Sequence, residues 1–222
     1  MEILEFLGRR NGFTSPTFYA SQKNFLSRFS AYGELPWIFE RILDRVRKGL
    51  IKKEIEEKVY KAGIITLSDK SYAGMQADTS GALLKEMLVD HVQIIKQIIL
   101  PDDQALLQAT LIDWCATCDL VLTTGGTGLS ARDFTPEATL QVADRLIPGI
   151  SEGLRLLSLS KTPFSMLSRG VAVQRGQTLI INLPGSPNSV KDYIIFLLPI
   201  LPHALELVVS GQAKHHQETN EG

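Results

Sequence analysis

The stretch DLVLTTGGTGLSARDFTPEAT, Asp119 to Thr139, decides the reading of this chain. Asp119-Leu120-Val121-Leu122-Thr123-Thr124 is short, apolar and β-branched, the pattern of a strand covered on both faces. Gly125, Gly126 and Gly128 then strip side chains from three of the next four positions. Such a loop can adopt positive φ and lets a ligand approach the main chain. Arg132 and Asp133 follow. Thr135-Pro136-Glu137 supplies an N-cap residue, a proline at N1 and an acid in the first turn, which predicts a helix from Pro136 to about Leu146. A bare loop between the carboxyl end of a strand and a helix N-terminus is where open α/β sheets keep ligands.

Outward from this stretch, strand and helix patterns alternate. Strands are predicted over residues 59–67 (VYKAGIITL) and 92–100 (VQIIKQIIL), with helices from Asp78 to about Asp90 and from Asp103 to Thr117. Ser68 to Gly74 reads as a polar loop. After Pro148-Gly149 breaks the helix, Ser151 to Leu159 resumes it, and residues 170–174 and 178–183 read as strands joined at Arg175-Gly176. Ser186 and Pro187 fit N-cap and N1 of a last helical region, interrupted by Pro199 and Pro202 and stopped at Gly211. The pattern predicts a doubly wound, mostly parallel α/β domain over residues 59–211. Loops at Ser68-Asp69, Pro101-Asp102, Thr124 to Asp133 and Pro184-Gly185-Ser186 would then share one rim and form a pocket.

Residues 1–58 differ in character. They hold eleven Lys and Arg against eight Asp and Glu, and six of the nine phenylalanines. Trp37, Phe39, Ile42, Leu43, Val46 and Leu50 predict an amphipathic helix over residues 36–57, in a helical extension of unassigned role. Residues 212–222 read as a flexible polar tail.

The composition narrows the function classes. The 222 residues are 44% hydrophobic and 21% charged, with a formal net charge of -1, an ordinary globular balance without the basic footprint of a nucleic-acid binder. The longest apolar run, Tyr193 to Leu201, contains Pro199 and falls short of the roughly 20 residues a membrane span needs. MEILEFLGRR lacks a signal-peptide core, so a cytoplasmic protein is expected. Cys115 and Cys118 lie in a W-C-x-x-C string, but at the end of a helix rather than at its start, where the dipole would stabilise a thiolate. Buried, reduced cysteines are the preferred reading over redox chemistry. His91, His203, His215 and His216 have no partner at catalytic spacing, which argues against a serine or cysteine nucleophile.

Asp69, Asp78, Asp102 and Asp133 gather acids around glycine amides and hydroxyls. Amides suit phosphate oxygens, and carboxylates suit the Mg²⁺ that accompanies a nucleoside triphosphate. The loop is neither a Walker A loop nor the dinucleotide fingerprint, since the residues after its glycines and their spacing are wrong for both. Asp103 and Asp144 fit a helix cap or a turn.

Thr123-Thr124-Gly125-Gly126-Thr127-Gly128, Arg132-Asp133 and Thr135-Pro136-Glu137-Ala138-Thr139 together resemble the signature of the MogA/MoaB family of molybdenum-cofactor biosynthesis. Ser68-Asp69, Asp78 to Gly81, Pro101-Asp102-Asp103, Leu167-Ser168-Arg169 and Asn182-Leu183-Pro184-Gly185-Ser186 extend the likeness over about residues 60 to 210. Within the family the chain is most similar to molybdopterin adenylyltransferases and the gephyrin G domain. The resemblance implies that the terminal phosphate of molybdopterin attacks the α-phosphate of ATP, giving adenylylated molybdopterin and pyrophosphate. It implies catalytic roles for Asp102 and Asp133. It also implies substrate and nucleotide contacts from Ser68, Asp69, Asp78, Ser80, Gly81, Thr124, Gly125, Gly126, Thr127, Gly128, Arg132, Pro184, Gly185 and Ser186. Mg²⁺ is the expected ion, with Asp133 as its holder or as a substrate-orienting group. A homotrimer and a downstream molybdenum-insertion protein are the expected partners. The alternative is a non-catalytic molybdopterin-binding or scaffold module of the same family.

Overall fold

A computed structural model describes residues 59–159 and 161–211. The amphipathic helix expected over residues 36–57 and the polar tail lie outside the described residues.

The strands form because their side chains can be covered on both faces. Strand β1 (Lys61–Leu67) is buried at every residue after Lys61, and β3 (Leu120–Thr124) and β6 (Thr178–Leu183) are buried throughout. With β2 (Gln93–Leu100), β4 (Arg145–Leu146) and β5 (Ala172–Arg175) they make a six-stranded sheet in the order β2-β1-β3-β6-β5-β4. The first four strands of that order run parallel, β5 is antiparallel to β6, and β4 is antiparallel to β5. Alternate residues feed opposite layers, as the two-residue repeat of a strand requires. Ile64, Leu122 and Ile181 pack with α2 (Thr79–Leu88), α5 (Pro148–Leu159), α6 (Pro187–Leu197) and α7 (Leu201–Ser210). Ile65, Val121 and Ile180 pack on the other face, with α3 (Gln104–Trp114) and α4 (Thr135–Val142). This is the expected doubly wound, mostly parallel arrangement.

Two local features follow from close packing. A Cβ at Gly63 would lie 2.4 Å from the Trp114 ring, so only glycine lets α3 sit this close to β1. Edge strand β2 slips register between Ile94 and Lys96, leaving Ile95 as a bulge. A bulge on an edge strand discourages pairing with another chain.

The structure corrects four local expectations. Residues 69–72 form a short helix, α1 (Asp69–Tyr72), rather than loop, because the Ser68 hydroxyl accepts the Ser71 N–H. Thr135 is not the N-cap of α4: Phe134 holds that position, and Pro136 is the second helical residue. The Thr135 hydroxyl instead donates to the Gly125 carbonyl. Helix α4 stops at Val142 because Ala143 turns extended, and Asp144 N–H and Ile147 N–H pair with Gln174 and Ala172 of β5. Those bonds make Arg145–Leu146 a strand where the periodicity suggested helix. Helix α5 starts at Pro148, where proline costs no helical hydrogen bond, so Pro148-Gly149 opens the helix instead of breaking one.

Asp103 caps α3 by accepting the Leu106 N–H, and Asp144 accepts the Gly176 N–H in the β5–β6 turn. Gly211 ends α7 with φ +65. No single helix among the described residues is long and apolar enough to cross a membrane. The pair α6 and α7 passes by length and composition, but it is bent by 70° at its break. Its Val190, Ile194, Leu197, Leu201 and Leu205 pack on the sheet.

Candidate active site

Because β1, β2, β3 and β6 are parallel, their carboxyl ends place four loops on one rim. A cavity of about 420 Å³ opens there. Of the residues expected in the site, Ser68, Asp69, Asp78, Ser80, Asp102, Thr124, Gly125, Gly126, Asp133 and Gly185 line it. Thr127, Gly128, Arg132, Pro184 and Ser186 stand in the same loops but outside the lining, as does Gly81 in the first turn of α2.

Loop by loop, hydrogen bonds fix this rim. The Ser68 N–H donates to the Leu100 carbonyl at 3.0 Å, tying the β1 loop to β2. Asp69 accepts the Asp102 N–H at 3.0 Å, and Arg132 Nη2 lies 2.9 and 3.0 Å from the two Asp69 oxygens while also donating to the Asp102 carbonyl. One guanidinium thus bridges three loops at the mouth. Both partners of the ion pair are largely exposed, so its strength is small and its value is positional.

Asp78 is committed to structure. Its Oδ1 accepts the Gly81 N–H and its Oδ2 accepts the Thr66 hydroxyl, both at 2.8 Å. A Cβ at Gly81 would sit 2.2 Å from Asp78 Oδ2, which explains the glycine as clearance for a cap. Ser80 and Thr124 also act through the frame. The Ser80 hydroxyl donates to the Gly185 carbonyl at 2.7 Å, and the Thr124 hydroxyl to the Pro184 carbonyl at 2.8 Å. With those carbonyls tied down and peptides trans, the Gly185 and Ser186 amides point the opposite way.

In the glycine loop, Gly125 has φ +100 and Gly126 φ +63, both in the region that excludes ordinary side chains. Clearance forbids side chains as well: a Cβ on Gly125 would be 2.3 Å from the Leu67 carbonyl oxygen, and one on Gly126 would be 2.4 Å from Thr135 Oγ1. The amides of Gly126, Thr127 and Gly128 donate to no acceptor among the described residues. Asp133 Oδ2 accepts the Ser130 N–H at 2.8 Å, closing the polar turn behind the glycines.

The Asp102 carboxyl is held above the ordinary carboxylate range. Burial is the main cause, a backbone hydrogen bond at Asp69 opposes it, and the nearby Asp69 and Asp133 charges add to it against Arg132. Asp102 and Asp133 therefore share one electrostatic environment. Among the described residues no set of three or more acidic, histidine or cysteine side chains is arranged to hold a metal alone. Oxygen donors from one or two carboxylates, completed by phosphate oxygens, are nevertheless the usual setting for Mg²⁺. The donor set fits that ion as a companion of a phosphate ligand.

Some of the site is invisible to pattern reading. Arg169 donates through Nε to the Gly128 carbonyl at 2.7 Å, through Nη2 to the Asp133 carbonyl, and pairs with Glu137 through Nη1. Its own N–H donates to the Thr127 carbonyl at 2.9 Å. Nothing in the local sequence of Arg169 points to a loop forty residues earlier. Lys70, Ser71 and Gln76 also line the cavity, on a helical turn and loop whose sequence pattern indicates no role.

Cys115 and Cys118 are free, and burial pushes both thiols up. Cys115 is the C-cap of α3. The preferred reading of reduced, structural cysteines matches this placement.

An open α/β sheet with unpaired loop amides and carboxylates on its carboxyl rim has the architecture suited to phosphorylated ligands. Within that architecture the chain belongs to the family described as "Probable molybdopterin binding domain", whose pattern matches residues 63–203. Molybdopterin adenylyltransferase of Helicobacter pylori (strain J99) is 37% identical over 154 residues, spanning 67% of this chain and 88% of the relative. The enzyme of that name from Escherichia coli K12 is 43% identical over 135 residues, 59% of this chain and 69% of the relative. The crystal structure of the molybdopterin biosynthesis enzyme MoaB from Thermus thermophilus superposes with a TM-score of 0.65 at 44% identity, covering 68% of this chain and 98% of that one.

Proposed function

We infer that the chain is a molybdopterin adenylyltransferase of molybdenum-cofactor biosynthesis. It joins AMP from ATP to the terminal phosphate of molybdopterin and releases pyrophosphate. The observation that carries this reading is the rim cavity, which combines unpaired glycine-loop amides with the Asp102 and Asp133 carboxylates. Relatives 37% and 43% identical to this chain are named for the same reaction.

A phosphate oxygen of molybdopterin attacks the α-phosphorus of ATP. The bond from that phosphorus to the bridging oxygen breaks, and the electron pair leaves with pyrophosphate. The nucleophile is already anionic, so no strong base is required, and positioning with charge neutralisation supplies most of the acceleration. The amides of Gly126, Thr127 and Gly128 on one side, and of Gly185 and Ser186 on the other, offer donors to phosphate oxygens. Ser68, Asp69, Ser80, Thr124 and Arg132 hold the loops that present them. Asp102 and Asp133 orient the reacting phosphates and would hold Mg²⁺ together with phosphate oxygens. The ion supplies positive charge against the triphosphate when bound.

We also propose that the protein works as a homotrimer in the cytoplasm and hands its product to a molybdenum-inserting partner. Exposed Leu156, Phe164, Met166 and Leu167, around the end of α5 and the following 3₁₀ turn (Pro163–Leu167), support an assembled state. A light-scattering mass three times the 24.6 kDa chain would support the trimer, and a monomeric mass would contradict it.

The direct test incubates the full-length chain with molybdopterin, ATP and Mg²⁺ and looks for adenylylated molybdopterin by mass spectrometry. Product at many turnovers per chain supports the enzyme. Molybdopterin bound without product would make the chain a carrier or scaffold.

A further inference from the structure

Three buried polar side chains that the reaction itself does not use connect the sheet to the glycine loop. Thr135, Thr139 and Asn182 are 2%, 0% and 3% exposed, so each hydrogen bond they make is shielded from water. Asn182, on β6, accepts the Val171 N–H through Oδ1 at 3.3 Å, which fixes its amide orientation. Its Nδ2 donates to Thr123 Oγ1 at 2.9 Å and to Thr139 Oγ1 at 3.0 Å. The Thr139 hydroxyl, having accepted, donates to the Thr135 carbonyl at 2.8 Å. Thr135 then holds two successive loop carbonyls: its hydroxyl donates to Gly125 O at 2.9 Å and its N–H to Gly126 O at 3.1 Å. The donors thus run in one direction, from the Asn182 amide through the Thr139 hydroxyl to the Thr135 main chain, and from Thr135 to the glycine loop.

That polarity has a consequence for the cavity. Thr135 lies behind the glycine loop, while Gly125 and Gly126 line the front. In trans peptides the N–H points away from the preceding carbonyl. Turning the Gly125 and Gly126 carbonyls back onto Thr135 therefore turns the Gly126 and Thr127 amides forward. A flipped peptide would present a carbonyl oxygen to an anion and repel it.

We propose that Asn182, Thr139 and Thr135 form a positioning relay that sets the Gly125 and Gly126 peptides so that their following amides face an anionic phosphate group in the cavity. The relay rests on the adenylyltransferase reading for the identity of that ligand, and on the hydrogen-bond geometry alone for the loop conformation. It gives a physical reason for threonines at both ends of Thr135-Pro136-Glu137-Ala138-Thr139, four residues apart on the buried face of α4. None of the three side chains needs to touch substrate.

The test uses the full chain with Thr135→Val, Thr135→Ser and Thr139→Val. Calorimetric titration with ATP and with inorganic pyrophosphate reads anion affinity, and the ¹⁵N–¹H resonance of Gly126 reads the loop without any ligand. Thr135→Val keeps the shape and loses the donor, so both affinities should fall about tenfold or more and the Gly126 resonance should move. Thr135→Ser restores the hydroxyl and should bind within about twofold of wild type. Thr139→Val, one step removed from the loop, should weaken binding in the same direction by less. It also keeps the test alive if Thr135→Val does not fold. Unchanged affinity and an unmoved Gly126 resonance in Thr135→Val, or an equal loss in Thr135→Ser, would overturn the relay. Pyrophosphate binding that weakens in Thr135→Val, in a wild-type protein that makes no adenylylated product, would sink the adenylyltransferase reading and leave the relay standing.

Discussion

At Asp102 a stability effect meets the proposed chemical role. Its raised pKa means that the folded state binds the Asp102 proton more tightly than the unfolded chain does. Above the raised value the ionised carboxylate costs stability, and that cost is relieved as pH falls from the raised value into the ordinary carboxylate range. Asp102→Asn removes the charge. It should raise the melting temperature at neutral pH while lowering turnover about tenfold or more, roughly 1.4 kcal/mol in the barrier. Parallel thermal melts and rate assays check both directions, and wild-type turnover would remove Asp102 from the catalytic set. Gly126 makes the complementary case. Its φ of +63 and the 2.4 Å clearance to Thr135 Oγ1 predict that Gly126→Ala destabilises the fold by at least about 1 kcal/mol in denaturant titration. A neutral effect would show that the loop relaxes freely. Legibility at this scale was uneven. Gly125 and Gly126 announced themselves because glycine is a backbone statement, and Asp103 and Asp144 read correctly as a cap and a turn acceptor. Thr135 did not, since a threonine before a proline looks like an N-cap whether its hydroxyl turns to the helix or to a loop.

Alternating apolar strands and capped helices made the doubly wound sheet readable, because burial on two faces writes a continuous apolar run into β1, β3 and β6. Strand β4 was not readable. Two exposed residues carry no periodicity, and only pairing with β5 makes them a strand. Arg169 stands in the Leu167-Ser168-Arg169 likeness, but its role is hidden, because its three side-chain contacts depend on how the segment after α5 folds back over the glycine loop. Arg169→Lys would lose the planar fork that reaches Gly128 O, Asp133 O and Glu137 together. It should raise the KM for ATP about fivefold or more with a smaller change in kcat, because the loop loses its clamp rather than its chemistry. A change in kcat alone would contradict the clamp. The cysteines of the α3–β3 connection give a further check. With burial holding both thiols high, Cys115 and Cys118 should react with a thiol reagent at neutral pH far more slowly than a free small-molecule thiol, and a fast-reacting low-pKa cysteine would reopen the redox reading.

For the whole molecule, topology does what no single residue can. Four parallel strands deliver four loops to one rim, and hydroxyls on neighbouring elements hold back the carbonyls of two of them, leaving the following amides on the other side. The family's motifs are scattered over the chain because the rim is assembled from strand ends far apart in sequence. The direct measurement is Mg²⁺-dependent pyrophosphate release from ATP by the full-length chain, followed with and without molybdopterin. Release that requires molybdopterin and matches adenylylated product one for one is the predicted result. Tight molybdopterin binding with no pyrophosphate released would contradict it.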